Sequence, residues 1–185
     1  MPLIAPAQIE SPRLLLRMVQ EQDIADLLEV NGDEQVTRHL PYATWTSMAD
    51  GHAWLERMAG LQAIGTALQL VVLEREHGKA IGTCLLLRYE ERSEMVELGY
   101  VLGRAHWGRG LMHEALGALL AQAFGAMGLR RVEAQINPSN GASVRLIERL
   151  GFTKEGLLRQ RWLKDGQPYD VAWYGLLRDE YRVKI

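Results

Sequence analysis

A chain of 185 residues, 48% of them hydrophobic, is long enough to fold as one domain with a sizeable core. Its net charge of −2 gives no electrostatic ground for a nucleic-acid protein, and its single cysteine, Cys84, rules out an internal disulfide and suits a reducing compartment. No apolar run approaches the ~20 residues that span a bilayer, and the N-terminus lacks the charged start and long apolar core of a signal peptide, so a soluble cytoplasmic protein is expected.

Residues 1–12 form a short polar lead with three prolines, expected to be loosely held. RLLLRMV at 13–19 predicts a first strand. Asp23 is placed to cap a helix carrying Ile24, Leu27, Leu28 and Val30, which Asn31-Gly32 would end. Residues 33–45 read as irregular or a short helix, broken at Pro41. Thr46 or Ser47 then caps a helix whose Trp54, Leu55, Met58 and Leu61 fall at helical spacing, stopping near Gly65. Three extended segments follow at 68–74, 80–89 and 95–102, joined by short polar turns that argue for an antiparallel meander. A helix over 110–127, with Gly128 as its C-cap, leads to a strand at 131–136, which the crossover makes parallel to 95–102. Two parallel neighbours in an otherwise antiparallel sheet are free to splay at their ends. A helix over 139–150, then strands 152–162 and 169–177 turning at Asp165-Gly166, complete the chain.

The stretch from Glu97 to Leu116, ELGYVLGRAHWGRGLMHEAL, hands a strand to a helix through two close glycines. Free N–H groups and the helix dipole at such a start favour a phosphate or pyrophosphate, and Gly108 and Gly110 let the backbone approach it. The dinucleotide fingerprint fails because His113 stands at its third glycine. Walker A fails because Arg109 replaces its lysine and Gly110 its metal-binding hydroxyl, which disfavours nucleotide hydrolysis. A pyrophosphate loop without a metal remains, and the five histidines show no metal-ligand spacing, so no metal is expected.

At this point the sequence resembles the GNAT acetyltransferase superfamily, whose acetyl-CoA loop Q/R-x-x-G-x-G/A is matched at both glycines by residues 105–110, with Ala105 departing at the first position. Within it, SPRLLLRMVQEQDIADLL, WGRGLMHEAL and NPSNGASVRLIERLGFTKEGLLRQ are similar to the RimJ/RimL-like branch of protein N-terminal acetyltransferases. The resemblance covers nearly the whole chain. It implies one domain over 1–185 with a mixed, mainly antiparallel GNAT-like α/β sheet, its central parallel strand pair splayed and flanked by helices. It also implies acetyl-CoA as co-substrate, with Trp107, Gly108, Arg109, Gly110, Leu111 and Met112 forming the pyrophosphate loop. The main chain at Val101 and Leu102 would pair with the pantetheine arm, and an N–H there would meet the thioester oxygen.

Glu97, four residues before Val101, is the candidate general base; part-buried among Met95, Val96 and Leu98 it would have a raised pKa. A solvated Glu at the mouth of the strand is the bland alternative. Asn137 and Asn140 would bind pantetheine amides or, more plainly, cap the next helix. Many relatives use a Tyr on that helix to protonate the leaving thiolate, but Ile147 stands there, which makes Ser143 the best protein acid, with solvent as its rival. Arg109 reaches phosphates or lies in solvent, while Glu114 suits the positive end of its helix. Cys84 sits in the apolar run TCLLL as a buried, inert thiol, so the acyl group is expected to pass directly to the amine. Trp45 and Trp162 are candidates for lining an acceptor pocket.

The expected reaction is acetyl transfer to a primary amine, either a protein N-terminal α-amine or a small-molecule amine. The alternative is a catalytically silent acyl-CoA-binding module of the same fold. The amine acceptor is the expected partner and a homodimer is open, whereas nucleic acid and membrane are not expected.

Overall fold

The alternating apolar runs assemble edge to edge into one sheet. In the computed structural model, which describes residues 3, 4 and 6–181, eight strands pair in the order β1-β2-β3-β4-β5-β6-β8-β7. They are β1 (Ile9–Glu10), β2 (Leu14–Met18), β3 (Leu68–Glu74), β4 (Ala80–Glu90), β5 (Met95–Leu102), β6 (Arg131–Ile136), β7 (Thr153–Lys164) and β8 (Gln167–Leu177). The helices are α1 (Ile24–Asn31), α2 (Glu34–Thr37), α3 (Met48–Ala63), α4 (Leu111–Phe124) and α5 (Gly141–Arg149). All pairs are antiparallel except β5 with β6, so the sheet is the mixed, mainly antiparallel one that the sequence implies.

The parallel pair is brief. Met95, Val96 and Glu97 pair with Arg131, Val132 and Glu133, and there the two strands part. Beyond that point β5 continues against β4 as far as Leu102, and β6 continues against β8 as far as Ile136. Each strand keeps one neighbour and loses the other, which opens a fork in the middle of the sheet.

Side-chain alternation along these strands sorts two cores. Val96, Leu98 and Tyr100 of β5, with Val132, Ala134 and Ile136 of β6, join the α4 and α5 side chains Leu116, Leu119, Leu120 and Ile147. On the opposite face Val71 and Leu73 pack with Leu27 and Trp45, and Val101 packs with Val30 and Val36. Each fully buried Leu of α4 contributes about 1.5–3 kcal/mol relative to exposure.

Several expectations are corrected. Part of the lead is structured: Ile9 is buried and β1 pairs with β2, while residues 1, 2 and 5 lie outside the described set. The Asp23 side chain does not cap α1. It is buried, accepts from Gln20 N at 2.8 Å, and takes two bonds from the Arg17 guanidinium at 2.7 and 2.8 Å. Between the two candidates for the next cap, Ser47 holds the position, in a capping box with Asp50. α4 ends at Phe124 with Gly125 as its C-cap, short of Gly128. An added Cβ at Gly125 would stand 2.7 Å from the Ala121 carbonyl oxygen, so a side chain does not fit where the chain turns out of the helix. Trp45 is a core residue, 5.5 Å from Trp54 between ring centroids, and lines neither of the two cavities described below.

Candidate active site

A cavity of 340 Å³ runs through the fork. Glu97, Gly99 and Val101 line it from one face of β5, and Leu98 and Tyr100 from the other. β6 adds Gln135, and the segment after it adds Asn137, Asn140 and Ser143. Trp162 and Tyr169 close it from the last hairpin. A wider hollow of 530 Å³ adjoins it between α2 and that hairpin, sharing His39, Asn137 and Tyr169 and adding Arg38, Lys164 and Asp165.

Glu97 is mostly buried, at 15% side-chain exposure, but its surroundings are polar. Arg88 Nη1 donates to Glu97 Oε2 at 2.6 Å, and Gln135 Nε2 donates to the same oxygen at 2.8 Å. Among the described residues no hydrogen bond is made to Oε1. The apolar setting expected from its sequence neighbours is therefore replaced by an ion pair, because those neighbours alternate onto the other face of the strand. Trp162 Nε1 donates to Gln135 Oε1 at 3.0 Å, which fixes the amide with its NH2 toward the carboxylate.

Two local distortions aim these groups. Arg88 lies at φ +54°, where β4 loses register with β5 between Leu87 and Glu90. Its guanidinium carbon stands 5.8 Å from the Trp162 ring centroid. β7 slips register between Leu158 and Trp162, with Gln160 at φ +50° and its N–H held by Asp170 at 2.8 Å. That bulge brings Trp162 to the fork.

Asn140 is the N-cap of α5: its Oδ1 accepts from Ser143 N at 3.2 Å. Asn137 Oδ1 accepts from the Ser139 hydroxyl at 2.7 Å and the Ser139 N–H at 3.0 Å. Both amide oxygens are thus committed to the turn, and the NH2 groups are the donors left to a ligand. Ser143 lies in the first turn of α5, beside Tyr100. Cys84 is fully buried against Met112, and burial pushes its thiol up, which suits an inert role.

The glycine loop does not line this cavity; it lies at the far end of β5. Trp107 Nε1 donates to the Leu102 carbonyl at 2.7 Å, tying the loop to the end of the strand. Gly108 and Gly110 adopt φ of +73° and +74°. Among the described residues, chain neighbours aside, no atom lies within 4 Å of a Cβ added at Gly108, and only Arg13 Nη2, at 3.8 Å, approaches one at Gly110. Leu111 and Met112 are buried, so they offer a ligand their backbone N–H groups alone. Arg109 is half exposed; its Nη1 pairs with Glu74 Oε1 at 3.2 Å and meets His106 Nδ1 at 3.3 Å. Glu114 does more than face the helix dipole. It accepts from the Ser11 hydroxyl at 2.7 Å and from Arg13 N and Nε at 2.8 and 2.6 Å.

The cavity therefore gathers Glu97, Val101, Asn137, Asn140 and Ser143, and leaves Leu102 and residues 107–112 to the loop beyond. It adds Arg88, Tyr100 and Gln135, which sequence inspection did not single out. Tyr100 alone had a signal, since three strand positions from Glu97 is the opposite face.

The sequence matches the family described as acetyltransferase (GNAT) domain over residues 13–153. It is 32% identical over 169 residues to the uncharacterised N-acetyltransferase p20 of Bacillus licheniformis, covering 91% of this chain and 95% of that protein. It is 27% identical over 173 residues to the ribosomal protein uS5-alanine N-acetyltransferase of Escherichia coli, covering 89% and 87%. Among solved structures, Mycobacterium smegmatis RimJ in complex with CoA-disulfide has the same fold, with a TM-score of 0.83 at 21% identity over 94% of this chain and 87% of that one.

Proposed function

Since the chain belongs to the GNAT acetyltransferase family and is an acetyl-CoA-dependent N-acetyltransferase, we propose that it acetylates the α-amine of a protein N-terminus by direct attack on the bound thioester. The observation that carries the mechanism is the cavity through the fork, with Glu97 on one face and Ser143 beyond the other.

The residues suit acetyl-CoA. The φ values and empty surroundings of Gly108 and Gly110 leave a cradle that a Cβ would fill. The backbone of Trp107–Met112 would hold the pyrophosphate, with Arg109 released from Glu74 to assist. Val101 and Leu102 would offer the pantetheine arm a strand edge, with the amides of Asn137 and Asn140 opposite. Acetyl-CoA supplies an activated acyl group and a stable leaving thiol.

This chain's own groups do the rest. Arg88 and Gln135 fix Glu97 through Oε2, so Oε1 receives the proton of the attacking amine directly or through one water. A Val101 N–H oriented by the strand would stabilise the oxyanion. Ser143 stands on the leaving-group side. Burial of Cys84 supports direct transfer without an acyl-enzyme. One domain over 1–185 acting in the cytoplasm completes the reading.

A protein acceptor is supported by the uS5-alanine N-acetyltransferase among the relatives and by the broad hollow that leads to Glu97, which suits an extended peptide end better than a closed pocket does. Release of CoA from acetyl-CoA, followed with a thiol reagent, tests it. Peptides beginning with Ala, Ser or Met should support release. Release with polyamines, amino acids or aminoglycosides instead would assign a small-molecule acceptor.

A further inference from the structure

The Tyr100 hydroxyl is buried and has no hydrogen-bond partner among the described residues. That is costly: a buried hydroxyl forfeits its bonds to water and gains nothing in return. Removing the oxygen would leave a Phe packed equally well against Val96, Leu98 and the α4 side chains. Ser143 is the polar group beside it, yet the two do not form a bond of ordinary geometry. A costly polar atom at the wall of a functional cavity points to a ligand that completes it.

Position says which part of the ligand. Glu97 and Tyr100 lie three residues apart on β5, so their side chains leave opposite faces of the sheet. Both line the cavity that crosses the fork. In acyl transfer the amine adds to the face of the thioester carbonyl, and amine and sulfur then occupy different corners of one tetrahedral carbon, so the groups that serve the two stand at different walls of the site. With Glu97 serving the amine from one face, Tyr100, on the other face beside Ser143, is placed to serve the departing sulfur.

Resting on the acetyltransferase reading above, we infer that Tyr100 is a catalytic residue whose Oη–H donates a hydrogen bond to the departing CoA sulfur, taking the place that Ile147 leaves without a hydroxyl on α5. The C–N bond forms as the carbonyl π electrons move onto oxygen; when that oxyanion collapses the C–S bond breaks, and sulfur leaves with the bonding electron pair. The amine proton passes to Glu97 and then to solvent, and solvent later protonates the thiolate. Tyr100 keeps its own proton throughout. Burial pushes its pKa up, so it acts as a neutral donor and not as an acid. Of the two hydroxyls at this wall the phenol is the stronger donor, which leaves Ser143 to flank it.

The test compares wild type, Tyr100→Phe and Ser143→Ala by turnover, ligand affinity and thermal unfolding. Tyr100→Phe should lower kcat about 10- to 50-fold with KM for acetyl-CoA nearly unchanged, less than the roughly 10²–10³-fold for loss of an oxyanion-hole donor because a thiol of pKa about 8.5 leaves readily. Its Tm should be equal to or above wild type. Wild type should bind CoA more tightly than desulfo-CoA, and Tyr100→Phe should bring that ratio toward unity; Ser143→Ala should change it less. Unchanged kcat together with an unchanged CoA to desulfo-CoA ratio would overturn the assignment. A lower Tm with loss of acetyl-CoA affinity would overturn it too, by making the hydroxyl structural. If wild type transfers acetyl to no amine, the acceptor reading fails, while the affinity ratio still decides the role of Tyr100.

Discussion

Gln135 joins Glu97 to Trp162 across the fork: its amide NH2 donates to the carboxylate at 2.8 Å while its oxygen accepts from the indole at 3.0 Å. The last hairpin thereby reaches the central strand through one side chain. If this chain holds the carboxylate in place, Trp162→Phe should lower kcat about 3- to 10-fold with acetyl-CoA affinity unchanged, since a slightly misplaced base is costly. Gln135→Leu should do the same or more. Steady-state kinetics beside calorimetric titration of acetyl-CoA separate the two quantities. A change confined to KM would show that Gln135 serves acceptor binding alone.

At Gly108 the backbone lies at φ +73° with open space where a Cβ would go. Gly108→Ala should cost about 1–2 kcal/mol of stability from the left-handed backbone. Because the new methyl would meet only a ligand, acetyl-CoA affinity should fall as well, by about tenfold if one backbone donor is lost. Chemical denaturation and a binding isotherm check the two effects separately.

Asn140 caps α5, so Asn140→Ala should destabilise the fold by about 1 kcal/mol through the loss of that cap. Asn140→Ser should restore most of the stability, because Ser is an equally good cap, without restoring an amide NH2. Affinity for acetyl-CoA that stays low in Asn140→Ser would separate the ligand contact from the cap.

Glu114 fastens the lead of the chain to the start of α4. Burial raises its pKa, but the Arg13 N–H, the Ser11 hydroxyl and the Arg13 guanidinium outweigh burial and hold it below its ordinary 4.5. The sign follows: a depressed carboxylate gives stability that is present above the unfolded pKa and is lost as pH falls through the folded one. Glu114→Gln should therefore be less stable than wild type near neutrality, by about 1–3 kcal/mol. The gap should close as the pH falls below about 4.5. Urea unfolding across that range measures it.

The strands were legible where polar turns bound them. Leu68–Glu74, Met95–Leu102 and Arg131–Ile136 stand at the bounds that apolar alternation and flanking Gly or charged residues imply. Glycine alone was less decisive: Gly125 and Gly128 both suit a helix end, and that a side chain at Gly125 would meet Ala121 O is seen only in the fold. At the site, the motif after β6 marks Asn137, Asn140 and Ser143, and strand position marks Glu97. The ion pair with Arg88, the Gln135 bridge and the isolated Tyr100 hydroxyl depend on register between strands far apart in the chain. A bulge at Leu87–Glu90 and another at Leu158–Trp162 set that register, and local composition carries no trace of either. Trp45 was misplaced for a related reason, since an aromatic side chain suits a pocket wall and a core equally well until its neighbours are known.

The most direct test of the account is CoA release from acetyl-CoA with an Ala-initiated peptide, measured for wild type and Glu97→Gln. The account predicts turnover in wild type, a loss of about 10²-fold or more in kcat for Glu97→Gln, and equal acetyl-CoA affinity in both. Turnover that survives in Glu97→Gln would contradict the role of Glu97. Tight acetyl-CoA binding with no turnover on any amine would contradict the transferase mechanism itself and leave a silent acyl-CoA-binding module.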